Sequence, residues 1–164
     1  MTNNLDGLKL ELATEVLRSS GTIRLRALGT SMLPSIWPDD ILSIERQSSE
    51  EIVPGDIVLV ARDSRFFVHR LIEKHNSEWI MRGDSLPHTD QPVPEIQVLG
   101  KVSLIRRKAK VIVPRSRVSV LGRTVAWMLC RWDLFRNIAL RLHSYRQRRV
   151  KVEQRTYDLR LRHE

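Results

Sequence analysis

Hydrophobic positions near the N-terminus recur with the period of a helix. Four apolar residues are spaced three and four residues apart: Leu5, Leu8, Leu12 and Val16. Asp6 lies near the start of this stretch, and Ser19-Ser20-Gly21 supplies a stop signal. The pattern predicts an amphipathic helix over about residues 6–19. We expect its apolar face to pack on the core of the protein or on a partner.

From Thr22 onward the pattern changes to alternation, which is typical of β-strands with one buried face. Ile23, Leu25 and Ala27 alternate with polar residues. Further short apolar stretches follow, separated by turn-forming residues, over residues 41–45, 57–61, 66–73, 78–82 and 96–105. One helix followed by many short strands predicts a mostly β domain.

Charge is divided unevenly along the chain, whose net charge is +9. Residues 1–100 hold 10 Lys and Arg against 15 Asp and Glu, a net charge of −5, whereas residues 101–164 hold 18 against 4, a net charge of +14. Two halves of opposite charge predict two roles. We therefore divide the chain into an N-terminal amphipathic helix (1–21), a β domain (22–113) and a basic helical appendage (114–164).

The appendage combines apolar residues at helical spacing with seven arginines and two tryptophans over residues 121–149. Three interpretations are open. The segment packs on the domain with a solvated basic face, attaches to an anionic membrane surface, or binds nucleic acid. The tryptophans suit an interfacial position.

The stretch from Gly29 to Asp40 fits neither period and holds two prolines, which predicts a shaped loop between two strands. Ser31 lies near its start, on a turn that the prolines stiffen. A serine nucleophile needs a base within hydrogen-bond reach, and a histidine base needs a partner that fixes its tautomer. His69 shares a strand face with large apolar residues. A simple turn and a half-buried structural histidine are the plainer interpretations of these two residues.

Five short motifs occur in order: Ser31-Met32-x-Pro34, Pro54-Gly55-Asp56-Ile57-Val58, Val68-His69-Arg70, Gly83-Asp84 with Asp90 six residues later, and Gly100-Lys101-Val102. Over about residues 22–106 the chain thereby resembles the type I signal peptidase superfamily, which also includes the LexA-like self-cleaving repressors. Their base is a lysine in most bacterial signal peptidases and in the repressors, but a histidine in the archaeal and endoplasmic-reticulum type. His69 stands at the matching position, so the resemblance is to the histidine branch.

This resemblance implies a serine endopeptidase that acts on a peptide or protein substrate. Ser31 would be the nucleophile and His69 the general base. Asp90 or Asp84 would orient the histidine, with Asp90 slightly preferred, because a carboxylate after a glycine is also a common turn element.

The resemblance also implies an oxyanion hole and a substrate groove. Many of these enzymes carry a serine two positions before the nucleophile, where this chain has Gly29. The hole would then depend on the main-chain N–H of Ser31 and on Thr30. Met32 and Pro34 would shape the floor of a groove for small side chains.

No metal or cofactor is predicted, because the spacing of His69, Asp84, His88 and Asp90 matches no metal-ligand pattern. Neither a secretory leader nor an apolar run of about 20 residues occurs, which predicts a cytoplasmic protein. Since the resembled enzymes work at membranes, we favour peripheral membrane attachment through residues 121–149 over nucleic acid. The alternative function is a catalytically idle binding module, attached by its basic tail to a membrane or nucleic acid.

Overall fold

The computed structural model of the protein describes residues 3–63 and 65–116. Within them, helix α1 (Asn3–Ser20) precedes a single eight-stranded sheet. The strands are β1 (Thr22–Arg26), β2 (Ile41–Glu45), β3 (Ile57–Arg62), β4 (Arg65–His75), β5 (Glu78–Arg82), β6 (Val93–Pro94), β7 (Val98–Arg107) and β8 (Lys110–Ile112). The predicted mostly β fold is confirmed.

All strand pairs are antiparallel, and the order across the sheet is β1-β2-β7-β3-β4-β5-β6, with β8 also paired to β7. Strand β7 therefore lies between β2 and β3. It joins the part of the sheet that carries the loop from residue 27 to residue 40 to the part that carries β4.

Two hydrophobic clusters form the core, and β3 contributes to both. Its side chains alternate, so that Ile57 and Leu59 join one cluster with Met32, while Val58 and Val60 join the other. These four residues of β3 are all buried. Burial on both faces of the sheet explains why this part of β3 is a continuous apolar run and not an alternating pattern.

Helix α1 turns a different face to the core from the one predicted. Leu8, Leu12 and Val16 are 64, 66 and 41% exposed, whereas Leu17 is 2% exposed and belongs to the Met32 cluster. The expectation that the face formed by Leu8, Leu12 and Val16 packs on the core is wrong, whereas the alternative that it packs on a partner stays a prediction. The helix carries a second apolar stripe, in which Leu17 follows seven residues after Leu10, and periodicity alone does not rank two such stripes.

Both ends of β7 also differ from the predicted range of 96–105. Residues 95–97 form a 3-10 turn, so β7 begins at Val98 instead of residue 96. Strand β7 then continues past residue 105 through Arg106 to Arg107, both of them basic. The basic segment 121–149 lies outside the described residues. In the described part of the chain, no helix is both long enough and apolar enough to cross a membrane.

Candidate active site

The loop between β1 and β2 presents Ser31. Its turns are closed by main-chain hydrogen bonds from Leu33 N–H to the Thr30 carbonyl (3.2 Å) and from Ile36 N–H to the Met32 carbonyl (2.9 Å). The Leu33–Pro34 peptide bond is cis. Because Met32 is buried in the core, the loop is fixed to the domain immediately after the serine.

A buried ion pair holds the far end of this loop. Asp40 is 2% exposed, and Arg107 at the end of β7 donates to it from Nη2 over 2.7 Å. Arg107 Nη2 also donates to the Ser35 carbonyl at 3.0 Å, and Asp40 Oδ2 accepts from Trp37 N–H at 2.8 Å. No role for Arg107 was predicted from the sequence; the missed signal was that a buried carboxylate requires a cationic partner.

His69 lies on β4 opposite Val58 and is only 8% exposed. Its Nε2 lies 3.0 Å from Ser31 Oγ, within hydrogen-bond distance. The Phe67 ring meets the imidazole edge-on, with 5.3 Å between ring centroids. The histidine is thus held between the serine and an apolar wall.

Asp90 completes the series. Its Oδ2 lies 2.5 Å from His69 Nδ1. The Asp90 main-chain N–H donates to the Met81 carbonyl on β5 (2.8 Å), which fixes the carboxylate relative to the sheet. Side-chain exposure rises outward, from 10% at His69 to 21% at Asp90.

Asp84 is engaged elsewhere. Arg70 Nε and Nη2 donate to its two carboxylate oxygens over 2.7 and 2.8 Å, and Ser35 Oγ also donates to it. Both charged side chains are nearly fully buried, at 3% exposure for Asp84 and 8% for Arg70. Of the two aspartates considered for the histidine, the structure brings Asp90 to His69 and Asp84 to Arg70.

The turn that carries Asp84 also supports the serine loop. Ser85 N–H donates to the Ser31 carbonyl at 2.9 Å, and Ser85 Oγ lies 2.9 Å from both the Thr30 and Ser31 carbonyls. A Cβ on Gly83 would lie 2.6 Å from the Ser31 carbonyl oxygen. Only glycine allows this approach. The contribution of Ser85 has no local sequence signal, because its partners are 54 and 55 residues away.

The main-chain N–H of Ser31 is available to a ligand, since it donates no hydrogen bond within residues 3–63 and 65–116. Thr30 contributes its carbonyl to Leu33 and Ser85. At Gly29, a Cβ would meet no atom of the described residues within 4 Å, so there is space for a side chain at that position.

A cavity of about 620 Å³ adjoins Ser31 and is lined mainly by hydrophobic residues, Met32 among them. Pro34 lies in the following turn, where its carbonyl accepts from Trp37 Nε1 at 2.9 Å. Of the two predicted groove residues, the structure brings Met32 to the cavity beside the serine. Among the described residues, no group of three or more His, Cys, Asp and Glu is arranged to hold a metal ion.

A serine hydroxyl, an imidazole and a carboxylate in hydrogen-bonded series, on a mostly β fold, are an arrangement that serine peptidases use. Residues 2–103, more than half of the chain, match the model of the Peptidase S24-like family. The chain therefore belongs to that family. This confirms the resemblance at the level of the superfamily, and the histidine base stays a prediction. No curated protein matches the chain.

Proposed function

We propose that the protein is a serine endopeptidase of the histidine-base type, with Ser31 as nucleophile and His69 as general base, oriented by Asp90. The observation that carries the proposal is the unbroken series from Ser31 Oγ through both ring nitrogens of His69 to Asp90, with separations of 3.0 and 2.5 Å. Membership of the Peptidase S24-like family supports the class of reaction.

The reaction begins with proton transfer from Ser31 Oγ to His69 Nε2 as the oxygen attacks the carbonyl carbon of the peptide bond. Asp90 accepts a hydrogen bond from Nδ1–H, which holds Nε2 as the acceptor and stabilises the imidazolium. The imidazolium then protonates the leaving amine, and the C–N bond breaks to leave an ester on Ser31. In the second half of the reaction, His69 accepts a proton from water as the water oxygen attacks the ester carbon. The imidazolium then donates that proton to Ser31 Oγ as the ester bond breaks and the carboxylic product leaves.

Negative charge develops on the carbonyl oxygen during the attack, and hydrogen-bond donors stabilise it. Ser31 N–H supplies one donor. This N–H shares a planar peptide unit with the Thr30 carbonyl, which lies 2.9 Å from Ser85 Oγ, so Ser85 helps to fix its direction. The buried pair Arg70–Asp84 supports the turn from which Ser85 reaches the loop.

Cleavage of a diverse peptide library, read by mass spectrometry, tests the proposal without a known substrate. Ser31→Ala and His69→Ala are each expected to abolish cleavage while retaining the fold. The two losses should not add in the double variant, because the residues act as one unit.

Matched controls are Ser19→Ala and His75→Ala, which remove an exposed serine and an exposed histidine. Both should cleave like wild type. Equal cleavage by wild type and Ser31→Ala would contradict the proposal, and a folded wild type that cleaves nothing would favour the idle binding module.

A further inference from the structure

We propose that this site selects peptides carrying a bulky apolar side chain at the cleaved bond and an acidic residue close by. The inference rests on the proposed function for the location of the bond. It differs from the small side chains that the resemblance implies, and it follows from the cavity next to Ser31.

The first step is the size and chemistry of the cavity. Its volume is about 620 Å³, and of the fifteen described residues that line it, eleven are hydrophobic. The lining includes Leu25, Leu59, Phe66 and Val68. A pocket of this volume falls within the range of about 300–1,000 Å³ typical of ligand sites. An alanine side chain would leave most of its apolar surface uncovered, whereas a leucine or phenylalanine would remove it from water.

The second step is position. Ser31 itself lines the cavity, together with Gly29 and Met32 on the same loop. A side chain seated in the cavity therefore belongs to a residue at the bond that Ser31 attacks. The substrate residue that fills the cavity with its side chain is then the residue next to the reacting carbonyl. A good fit in the cavity therefore positions that carbonyl for attack and directly affects which peptides are cleaved.

The third step is charge. Among the lining residues that the structure describes, the charged ones are Arg26 and Arg65, and none carries a carboxylate. Arg26 lies 3.9 Å from Asp39, and both side chains are at least half exposed. Within residues 3–63 and 65–116, no carboxylate pairs with Arg65. An unneutralised guanidinium at an apolar cavity favours a substrate carboxylate, which it binds in two-pronged geometry.

A positional library tests both parts of the inference on the full chain. For wild type we expect cleavage to favour Leu or Phe over Ala at the bond by at least about tenfold, since each added methylene in such a pocket gives about 10-fold or more. Acidic residues should be enriched nearby. Ala27→Leu, which narrows the cavity, should shift the preference toward Ala.

Charge-reversal variants test the preference for an acidic residue more directly. Arg65→Glu should change the preferred neighbouring residue from Glu to Lys. Arg24→Glu alters the net charge equally but lies outside the cavity lining, so it should leave the preference unchanged. Cleavage without residue preference, preference for Ala or Gly, or equal effects of the two variants would overturn the inference.

Binding to the Ser31→Ala chain separates this inference from the proposed function. Fluorescence anisotropy with labelled peptides that differ only in Leu against Ala, and in Glu against Lys, measures selectivity without catalysis. If wild type cleaves nothing but Ser31→Ala still binds the Leu and Glu peptides at least about tenfold more tightly, the specificity stands and the proposed activity fails. Equal binding, or none, overturns the specificity.

Discussion

Gly29 lies two positions before the proposed nucleophile, with open space where its side chain would begin. Many enzymes of the resembled superfamily have a serine at this position whose hydroxyl contributes to the oxyanion hole, so a serine here would offer the proposed site a second donor. We expect Gly29→Ser to raise kcat by about tenfold, a fraction of the roughly 100- to 1,000-fold that an established oxyanion donor contributes. Steady-state kinetics on a library-derived peptide measures this.

The control for that gain is Gly29→Ala, which adds the Cβ without the hydroxyl. It should match wild type, because the added carbon meets nothing within 4 Å. If both variants behave alike, the hydroxyl does not reach the oxyanion.

Acidification should remove activity through His69. The reaction needs Nε2 free to accept the Ser31 proton, so protonation of the ring abolishes the base, and kcat/KM should fall on the acid side of the rate profile. The rate profile of wild type against His75→Ala checks that the exposed histidine has no part in it. An acid limb unchanged in an active His69→Lys variant would assign it to another group.

The residues with proposed chemical roles could be named from the sequence, with Asp84 and Asp90 left as alternatives, whereas the residues that hold them in place could not. Ser31, His69 and Asp90 stand in short motifs whose order points to them. Arg107 and Ser85 act on partners 54 to 72 residues away, and such pairs follow only from the folded sheet.

At the scale of elements, Asp84 and Asp90 lie in the same loop after β5 but contact different partners. Asp84 pairs with Arg70, and Asp90 lies next to His69. Asp84→Asn leaves buried Arg70 without its charge partner, and we expect it to lower the free energy of unfolding by about 3–5 kcal/mol. Asp90→Asn should leave stability nearly unchanged but lower kcat by up to about 10,000-fold, because the histidine loses the partner that sets its tautomer.

Urea denaturation and kcat on the same two preparations measure this contrast. Both variants make the same isosteric change from Asp to Asn, so each serves as the control for the other. A stable Asp84→Asn without activity, paired with an active Asp90→Asn, would reverse the two assignments.

Helix α1 shows why an element was predicted correctly but its orientation was not. Its capping and spacing signals are local, and the structure contains the helix. Which apolar stripe faces the core depends on the surface that β1 and β4 offer, and that surface selected Leu17 over Leu12. The same holds for β7, whose first predicted residues form a 3-10 turn instead.

For the whole molecule, alternation sufficed to predict a mostly β domain but not the strand order. Strand β7 lies between β2 and β3, and at least 35 residues separate it in sequence from each of them. No local pattern encodes this placement. The function of residues 121–149 stays a prediction, since they lie outside the described residues.

We expect this basic segment to bind anionic lipid. Each arginine near such a surface contributes about 1 kcal/mol, so changing three of them to glutamine should weaken binding about 100-fold. Co-sedimentation of the full chain with vesicles containing phosphatidylserine measures the loss. The variant replaces Arg146, Arg148 and Arg149.

The matched control removes the same charge from the β domain and its helix. It replaces Arg18, Arg24 and Arg82, and it should bind vesicles like wild type. Similar losses in the two variants, or equal binding to neutral vesicles, would show that the basic segment is not the anchor.

The central position of β7 has a consequence for synthesis of the chain. The ribosome releases Ser31 and His69 before residues 98–107, yet within the sheet it is β7 that joins β2, which follows the Ser31 loop, to β3, which pairs with the His69 strand. Domains generally fold as units. We therefore expect a nascent chain that ends before β7 to carry the proposed nucleophile and base without the sheet that brings them together, and so to lack peptidase activity.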